Sequence, residues 1–195
     1  MTSSVPAQSD IYNLEYQQKY DRYGQTELSR KLMAVRWSRI KRHLNGHRAL
    51  LDYGTADGAF LRSEHRDPCL HLVGWDVNPH SPYAKPIHEP SRGFDVLTAF
   101  DVIEHLTSPT AFLDRFRPRL LAVLTPTTDG LADKQEILSW KHYRPGEHVH
   151  YFNRQSLAAL FLYGEYNVEE VCYTEAAMRN PDGPRDLILM IGSRM

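Results

Sequence analysis

The stretch Leu50-Leu51-Asp52-Tyr53-Gly54-Thr55-Ala56-Asp57-Gly58-Ala59-Phe60 limits the fold of this chain more than any other. Its apolar start reads as a buried strand. The glycine-containing middle reads as a tight turn, and the end as the first residues of a helix. Val73-Gly74-Trp75-Asp76-Val77-Asn78-Pro79 then reads as a second buried strand with an acid at its tip, and Pro79 stops further pairing. Open α/β sheets hold a nucleoside with this pairing of segments. The glycines let backbone N–H groups approach a ligand with no Cβ in the way. The acid on the next strand accepts hydrogen bonds from two ribose hydroxyls.

The turn runs D-x-G-x-x-x-G, from Asp52 through Gly54 to Gly58, and not G-x-G-x-x-G. The second pattern belongs to nicotinamide enzymes and places a pyrophosphate at a helix N-terminus. Here Asp57 stands in the turn and Glu64 is expected within the following helix, so a pyrophosphate would meet carboxylates. A ligand with an amino group would not be repelled, and S-adenosylmethionine is such a ligand. Asp52 and Gly54 are then expected at its ammonium end and Asp76 at its ribose.

A chain of 195 residues suits a single domain with a full core. With 42% hydrophobic and 24% charged residues it reads as globular. No apolar run is long enough for a membrane span, and the first ten residues carry no signal-peptide pattern. Cys69 and Cys172 lie far apart without metal-ligand spacing, so both thiols are expected free in a reducing cytoplasm. A net charge of −1 gives no general attraction to nucleic acid. The local exception is Arg30, Lys31, Arg36, Arg39, Lys41 and Arg42, read as a solvated helix face in preference to a phosphate-binding patch.

Tyr12, Tyr16 and Tyr20 recur at helical spacing. A long helix is expected from Thr26, its N-cap, to about Leu44, with Met33, Trp37, Ile40 and Leu44 as the apolar stripe and Asn45-Gly46 as the C-cap. A strand over Ala49 to Tyr53 precedes a helix over Ala59 to His65, and a strand over His71 to Asp76 follows. His80 to Pro90 holds three prolines, so His80 to Gly93 is expected to lack a full helix. Further strands are expected over Phe94 to Phe100 and Leu120 to Thr125, with a helix over Pro109 to Phe116 between them. Thr127 to Tyr151 reads as a long irregular insert, and a loop of that length is usually functional. A helix over Arg154 to Tyr163 leads to a closing antiparallel hairpin, Val168 to Thr174 and Leu187 to Ser193.

Four segments carry a family resemblance: Leu51-Asp52-Tyr53-Gly54, Gly74-Trp75-Asp76, Asp101-Val102-Ile103-Glu104-His105-Leu106 and Glu147-His148-Val149-His150-Tyr151-Phe152. In this order they resemble the class I S-adenosylmethionine-dependent methyltransferases. The nearest pattern is a small methyltransferase-domain group similar to the ubiquinone-biosynthesis-type O-methyltransferases. The resemblance covers Leu50 to the C-terminus. It implies an α/β, Rossmann-like open sheet, mostly parallel, with a C-terminal antiparallel hairpin and reduced around its third strand. One domain is implied over residues 1–195, with an N-terminal helical cap over 1–48 and an active-site insert over 127–152. It also implies cofactor contacts from Asp52, Tyr53, Gly54, Thr55, Ala56, Gly58, Asp76, Val77, Phe100 and Asp101. Two departures stand out. Ala56 occupies a position where relatives carry Gly, so the turn needs either an ordinary φ there or strain. The acid that usually meets adenine has no match, which leaves Tyr83, Ile87 or nearby backbone for that role.

Asp101, Glu104 and His105 are expected at the carboxyl edge of the sheet, on one face if the segment turns helically. His148, in the insert, opens on the same edge. Glu104, His105 and His148 are the candidate catalytic residues, with His148 as a general base because an imidazole titrates near neutrality. Asp101, Glu104, His105 and His148 also resemble the metal-binding set of small-RNA 3′-terminal 2′-O-methyltransferases and would suit Mg²⁺ or Mn²⁺. The competing reading is that they only orient loops. His142 and His150 are weaker candidates. Trp140, Tyr143, Tyr151 and Phe152 either line an acceptor pocket or pack the insert down.

The leading function is methyl transfer to an oxygen, less often a nitrogen, of a small polar or phosphorylated acceptor. Metal-dependent methylation of an RNA ribose is the alternative within the class, with nucleic acid the less favoured partner. A non-catalytic nucleoside-binding module is the alternative outside it, and a nicotinamide oxidoreductase is disfavoured by the turn spacing.

Overall fold

The computed structural model describes residues 15, 18, 22, 24–78, 81, 82 and 93–195. The expectations for Tyr12, Tyr16 and Tyr20, for Tyr83 and Ile87, and for most of His80 to Gly93 lie outside the described residues.

Helix α1 spans Glu27–Lys41, and the Thr26 side chain caps it by accepting from the Ser29 N–H. The helix ends earlier than its sequence suggests. Arg42 is the C-cap, while Asn45 (φ 43°) and Gly46 (φ 83°) turn the chain afterwards into the first strand. Met33, Trp37 and Ile40 are buried on it, and Leu44 reaches the same core from beyond its end. The basic residues do not form one solvated face. Arg36 is buried against Glu175, Arg39 and Arg42 pair with Glu170, and Lys31 pairs with Glu27.

Strand β1 (Ala49–Tyr53) leads through the turn to α2 (Ala59–Arg62) and then to β2 (His71–Trp75). Helix α2 stops when Ser63 takes ψ 137°, so Glu64 lies outside it, contrary to expectation. After β3 (Val96–Phe100), a single 3₁₀ turn covers Ile103–His105. Helix α3 (Pro109–Phe116) has Ser108 as N-cap and Pro at its start, which explains its legible boundary. Strand β4 (Leu120–Pro126) is buried throughout. The following insert is not wholly irregular, because α4 (Lys134–Ser139) forms in it with Asp133 as its N-cap. Helix α5 (Arg154–Tyr163) carries a capping box between Asn153 and Ser156. Strand β5 (Tyr166–Cys172) starts two residues before its expected place. Helix α6 (Thr174–Arg179), which the sequence did not reveal, separates it from β6 (Leu187–Arg194).

The six strands form one sheet in the order β2-β1-β3-β4-β6-β5. Strands β2, β1, β3 and β4 are parallel, β6 runs antiparallel to β4, and β5 antiparallel to β6. One core cluster joins α1 and α2 to one face of the sheet, and another joins α3 and α5 to the other face. Strands β3 and β4, at its centre, are buried at every position. This is the continuous apolar patterning of a sheet covered on both sides. The layers leave the carboxyl ends of β1 to β4 facing one edge, where ligands bind in open α/β sheets. Among the described residues no helix is long and apolar enough to cross a membrane.

Candidate active site

The turn after β1 is held by backbone and carboxylates together. The N–H groups of Gly54 and Thr55 both donate to the carbonyl of Trp75, at 2.8 and 3.1 Å, and so tie the turn to the end of β2. Gly54 has φ 76°, and a Cβ there would lie 2.3 Å from Cγ2 of Val102. Both the dihedral and the closeness of the next loop demand glycine. Ala56 takes the strained alternative, with φ 49°. An L-residue in that region costs about 1–2 kcal/mol. Its N–H donates to Oδ2 of Asp76 at 2.6 Å, a charge-assisted bond strong enough to offset the strain. The other Asp76 oxygen accepts from the Asn78 N–H at 2.7 Å. Burial raises the Asp76 pKa, and those two backbone donors oppose the rise. Ser81 adds a hydroxyl bond to the Ala56 carbonyl.

Asp52 is buried and accepts from the Thr98 hydroxyl at 2.6 Å. Burial lifts its pKa to about 6. Asp57 accepts from the Ala59 N–H at the start of α2 and pairs with Arg62.

The second half of the site grows from the 3₁₀ turn. Glu104 is buried, and its Oε2 accepts from the Thr125 hydroxyl at 2.9 Å. Its Oε1 has no hydrogen-bond partner among the described residues. Burial, and then the charge of Asp101, push the Glu104 pKa well above the usual carboxylate range. His105 donates from Nδ1 to the Glu147 carbonyl at 2.9 Å, since a carbonyl can only accept. Its Nε2 lies 3.9 Å from Oε1 of Glu104. His148 stands edge to face with His105 at 4.7 Å between ring centroids. Its buried Nδ1 also has no partner among the described residues. One donor atom from each of Glu104, His105 and His148 lies within 4.8 Å of the others. Burial, followed by repulsion from His105, lowers the His148 pKa and so favours its neutral form.

The insert is pinned in this register by backbone bonds. Val149 and His150 donate to the Glu104 carbonyl at 2.9 and 3.1 Å. Asp186, just before β6, gathers Lys141 Nζ at 2.9 Å and Trp140 Nε1 at 3.3 Å. His142, beside it, has its pKa lowered to about 4, first by burial and then by Lys141.

Both halves open into one cavity of about 580 Å³, within the range of small-molecule sites. Asp52, Tyr53, Gly54, Thr55, Ala56, Asp76, Val77, Phe100 and Asp101 line it, as do Glu104, His105 and His148. Some expectations need correction. Gly58 does not line the cavity; with φ 78° it is the N-cap of α2. Asp101 is outside the Glu104, His105 and His148 group. The shared-face argument assumed an α-helix, but Asp101 takes φ 55° and precedes a 3₁₀ turn, so it lines the cavity without joining that group. Trp140, Tyr143, Tyr151 and Phe152 do not line the cavity either. Trp140 and Phe152 are buried, and Tyr143 and Tyr151 lie against each other at 5.6 Å. The wall also includes Lys141, Arg144 and Arg179, which sequence reasoning passed over, and Arg36 and Glu147, which it named without placing them at the site. Arg36 binds both oxygens of Glu175, 139 positions away, so no local pattern could have shown the pair.

A glycine turn, an acid on the neighbouring strand and a cavity at the carboxyl edge of a mostly parallel sheet define a nucleoside-binding α/β enzyme. The chain matches the methyltransferase-domain family over residues 18–171 and belongs to it. It is a class I S-adenosylmethionine-dependent methyltransferase. Its fold is similar to that of an S-adenosylmethionine-dependent methyltransferase from Archaeoglobus fulgidus, at 17% identity and TM-score 0.56, over 85% of this chain and 94% of that one. It is similar also to the N-terminal domain of EvdMO1 with S-adenosylhomocysteine bound, at 16% identity and TM-score 0.53, over 84% and 81%. The pyocyanin biosynthetic protein PhzM aligns at 15% identity and TM-score 0.55 over 82% of this chain, which spans about half (54%) of that protein. None of the curated proteins matches the chain.

Proposed function

We propose that this chain transfers the methyl group of S-adenosylmethionine to an oxygen of a small polar or phosphorylated acceptor, with His148 taking the acceptor's proton. The observation carrying this reading is the convergence of Glu104, His105 and His148 on the cavity that also receives Gly54 and Asp76. Asp76 would bind the ribose hydroxyls, with Asp52 and the backbone of Gly54 to Ala56 around the methionine end and Val77 against the base. In the reaction the acceptor oxygen forms a bond to the methyl carbon as the carbon–sulfur bond breaks in line, and the sulfonium leaves neutral. The enzyme's work is to align three atoms and remove one proton. The lowered pKa of His148 favours the neutral, proton-accepting form that this role needs. A cavity of about 580 Å³ and a net charge of −1 favour a small acceptor over RNA.

The test is product analysis with isotope-labelled S-adenosylmethionine and a panel of hydroxylated and aminated small molecules. Label on oxygen supports the reading, whereas label confined to nitrogen refutes it. A second reading adds a divalent ion, favoured by the donor set itself, one carboxylate oxygen and two imidazole nitrogens within 4.8 Å. Mg²⁺ or Mn²⁺ held by Glu104, His105 and His148 would polarise the acceptor oxygen. Loss of turnover in a chelator and its return with either ion would support that version. Turnover indifferent to chelator would remove it and leave His148 as base.

A further inference from the structure

Three aspartates and three cations of the cavity wall hold different places along the sheet, while Asp101, Glu104 and Glu147 also line it. Asp52, Asp57 and Asp76 belong to the ends of β1 and β2 and to the turn between β1 and α2. Arg179 ends α6, and Lys141 stands on the insert after β4, tied to Asp186 at the start of β6. Strands β3 and β4 separate β1 from β6. At roughly 4.8 Å per strand spacing the two groups are set apart by about 14 Å. The acids suit a cofactor that carries sulfonium and ammonium charges. The cofactor's single carboxylate can engage one cation of the wall, which leaves the others without a counterpart in it.

The cations are built to face the cavity. Lys141 Nζ lies 2.9 Å from Asp186, and Arg179 Nη2 lies 3.3 Å from Glu175. Both carboxylates are buried, and neither lines the cavity, whereas Lys141 and Arg179 do. Each acid therefore stands behind its cation. Glu175 also binds Arg36 through both oxygens, at 2.6 and 2.9 Å, so one carboxylate serves two guanidinium groups of the same wall. Arg144, on the insert, is the fourth cation of this wall and pairs with Glu147 at 3.2 Å. A backing carboxylate orients a cation and keeps it charged. Guanidinium and ammonium groups fit carboxylate and phosphate oxygens in charge and hydrogen-bond geometry.

We propose that the methyl acceptor is an anion whose carboxylate or phosphate group is seated against Lys141, Arg144 and Arg179. This rests on the methyl-transfer reading and narrows its acceptor to one chemical class. The seat holds the anionic end of the acceptor at the β4–β6 side while its hydroxyl reaches His148. It also separates the acceptor's charge from the aspartates that meet the cofactor.

The test is calorimetric titration of the protein with inorganic phosphate and, separately, with benzoate, with and without saturating S-adenosylhomocysteine. Ionic strength is held constant with chloride. Saturable binding of at least one oxyanion is expected; phosphate alone identifies a phosphorylated acceptor and benzoate alone a carboxylate. Lys141→Gln, Arg144→Gln and Arg179→Gln should each weaken that binding about tenfold, the scale of one charged hydrogen bond, and leave S-adenosylhomocysteine affinity unchanged. Arg179 shares a buried ion pair, so the two insert variants, with side chains about half exposed (53% and 46%), decide the matter if Arg179→Gln does not fold. No saturable heat from either oxyanion, or equal affinity in both insert variants, overturns the proposal. Absence of S-adenosylhomocysteine binding with oxyanion binding intact counts against the cofactor reading alone.

Discussion

Replacing Gly54 by alanine separates two costs that the structure assigns to one position. The first is the dihedral. At φ 76° an alanine sits in the left-handed region, which costs about 1–2 kcal/mol. The second is contact, because the new Cβ would lie 2.3 Å from Cγ2 of Val102. Overpacking of that kind costs about 1–3 kcal/mol. Gly54→Ala should therefore destabilise the fold by about 2–5 kcal/mol in urea denaturation. It should also weaken S-adenosylhomocysteine binding, since the Gly54 and Thr55 amides hold the turn to Trp75. Truncating Val102 removes the clash and leaves the dihedral. In a double-mutant cycle, Gly54→Ala with Val102→Ala should recover the contact part, a coupling of about 1–3 kcal/mol. A neutral Gly54→Ala, or a cycle with no coupling, would refute the reasoning that the turn and the loop after β3 are locked together here.

Asp76→Ala should weaken S-adenosylhomocysteine binding by about 1.5–3 kcal/mol for each ribose hydroxyl bond lost; unchanged affinity in calorimetry would remove Asp76 from the cofactor site. His148→Ala should cut turnover about 10²–10⁴-fold while cofactor affinity holds, and a parallel loss of both would make His148 a structural residue. His142 has its folded pKa depressed from 6.5 to about 4. The unfolded chain therefore binds the extra proton first as pH falls. Its contribution is complete above pH 6.5 and is lost towards pH 4, by up to roughly 3 kcal/mol at 1.36 kcal/mol per unit. Asp52, raised from 3.8 to about 6, works the other way and gains stability over much of the same window. The diagnostic is thus the difference between wild type and His142→Gln in denaturation curves at pH 7 and pH 4; equal differences at both would sink the assignment.

The elements that were legible in sequence are those whose local chemistry states their ends. The strand over Ala49–Tyr53 is an apolar run ending in Gly54. Ser108-Pro109 starts α3, and Asn153 caps α5, with bounds matching expectation at Pro109–Phe116 and Arg154–Tyr163. Helix α4 was missed because its six residues bury nothing, so no apolar stripe exists to find. Its signal was Asp133 followed three residues later by Glu136, a capping pattern. Helix α6 was hidden between two strand-like runs, and its buried Glu175 is held there by Arg36 of α1. At the site, residue types and spacing pointed to Glu104, His105 and His148 but gave no direction for their neighbours. Asp101, at φ 55°, stands outside the group, and Trp140 is buried with its indole N–H donated to Asp186. Contacts of that kind join segments far apart in the chain, and no local period encodes them.

A crystal structure with S-adenosylhomocysteine tests the central claim most directly. The account predicts both ribose hydroxyls on the Asp76 carboxylate and the homocysteine chain along Asp52 and Gly54. It also predicts that the sulfur faces the space between Glu104 and His148, with room for a methyl group and an acceptor oxygen. A nucleoside bound away from Asp76, or a sulfur turned from His148 by more than about 10 Å, too far for an acceptor oxygen to bridge by direct contact or through one water, would contradict it.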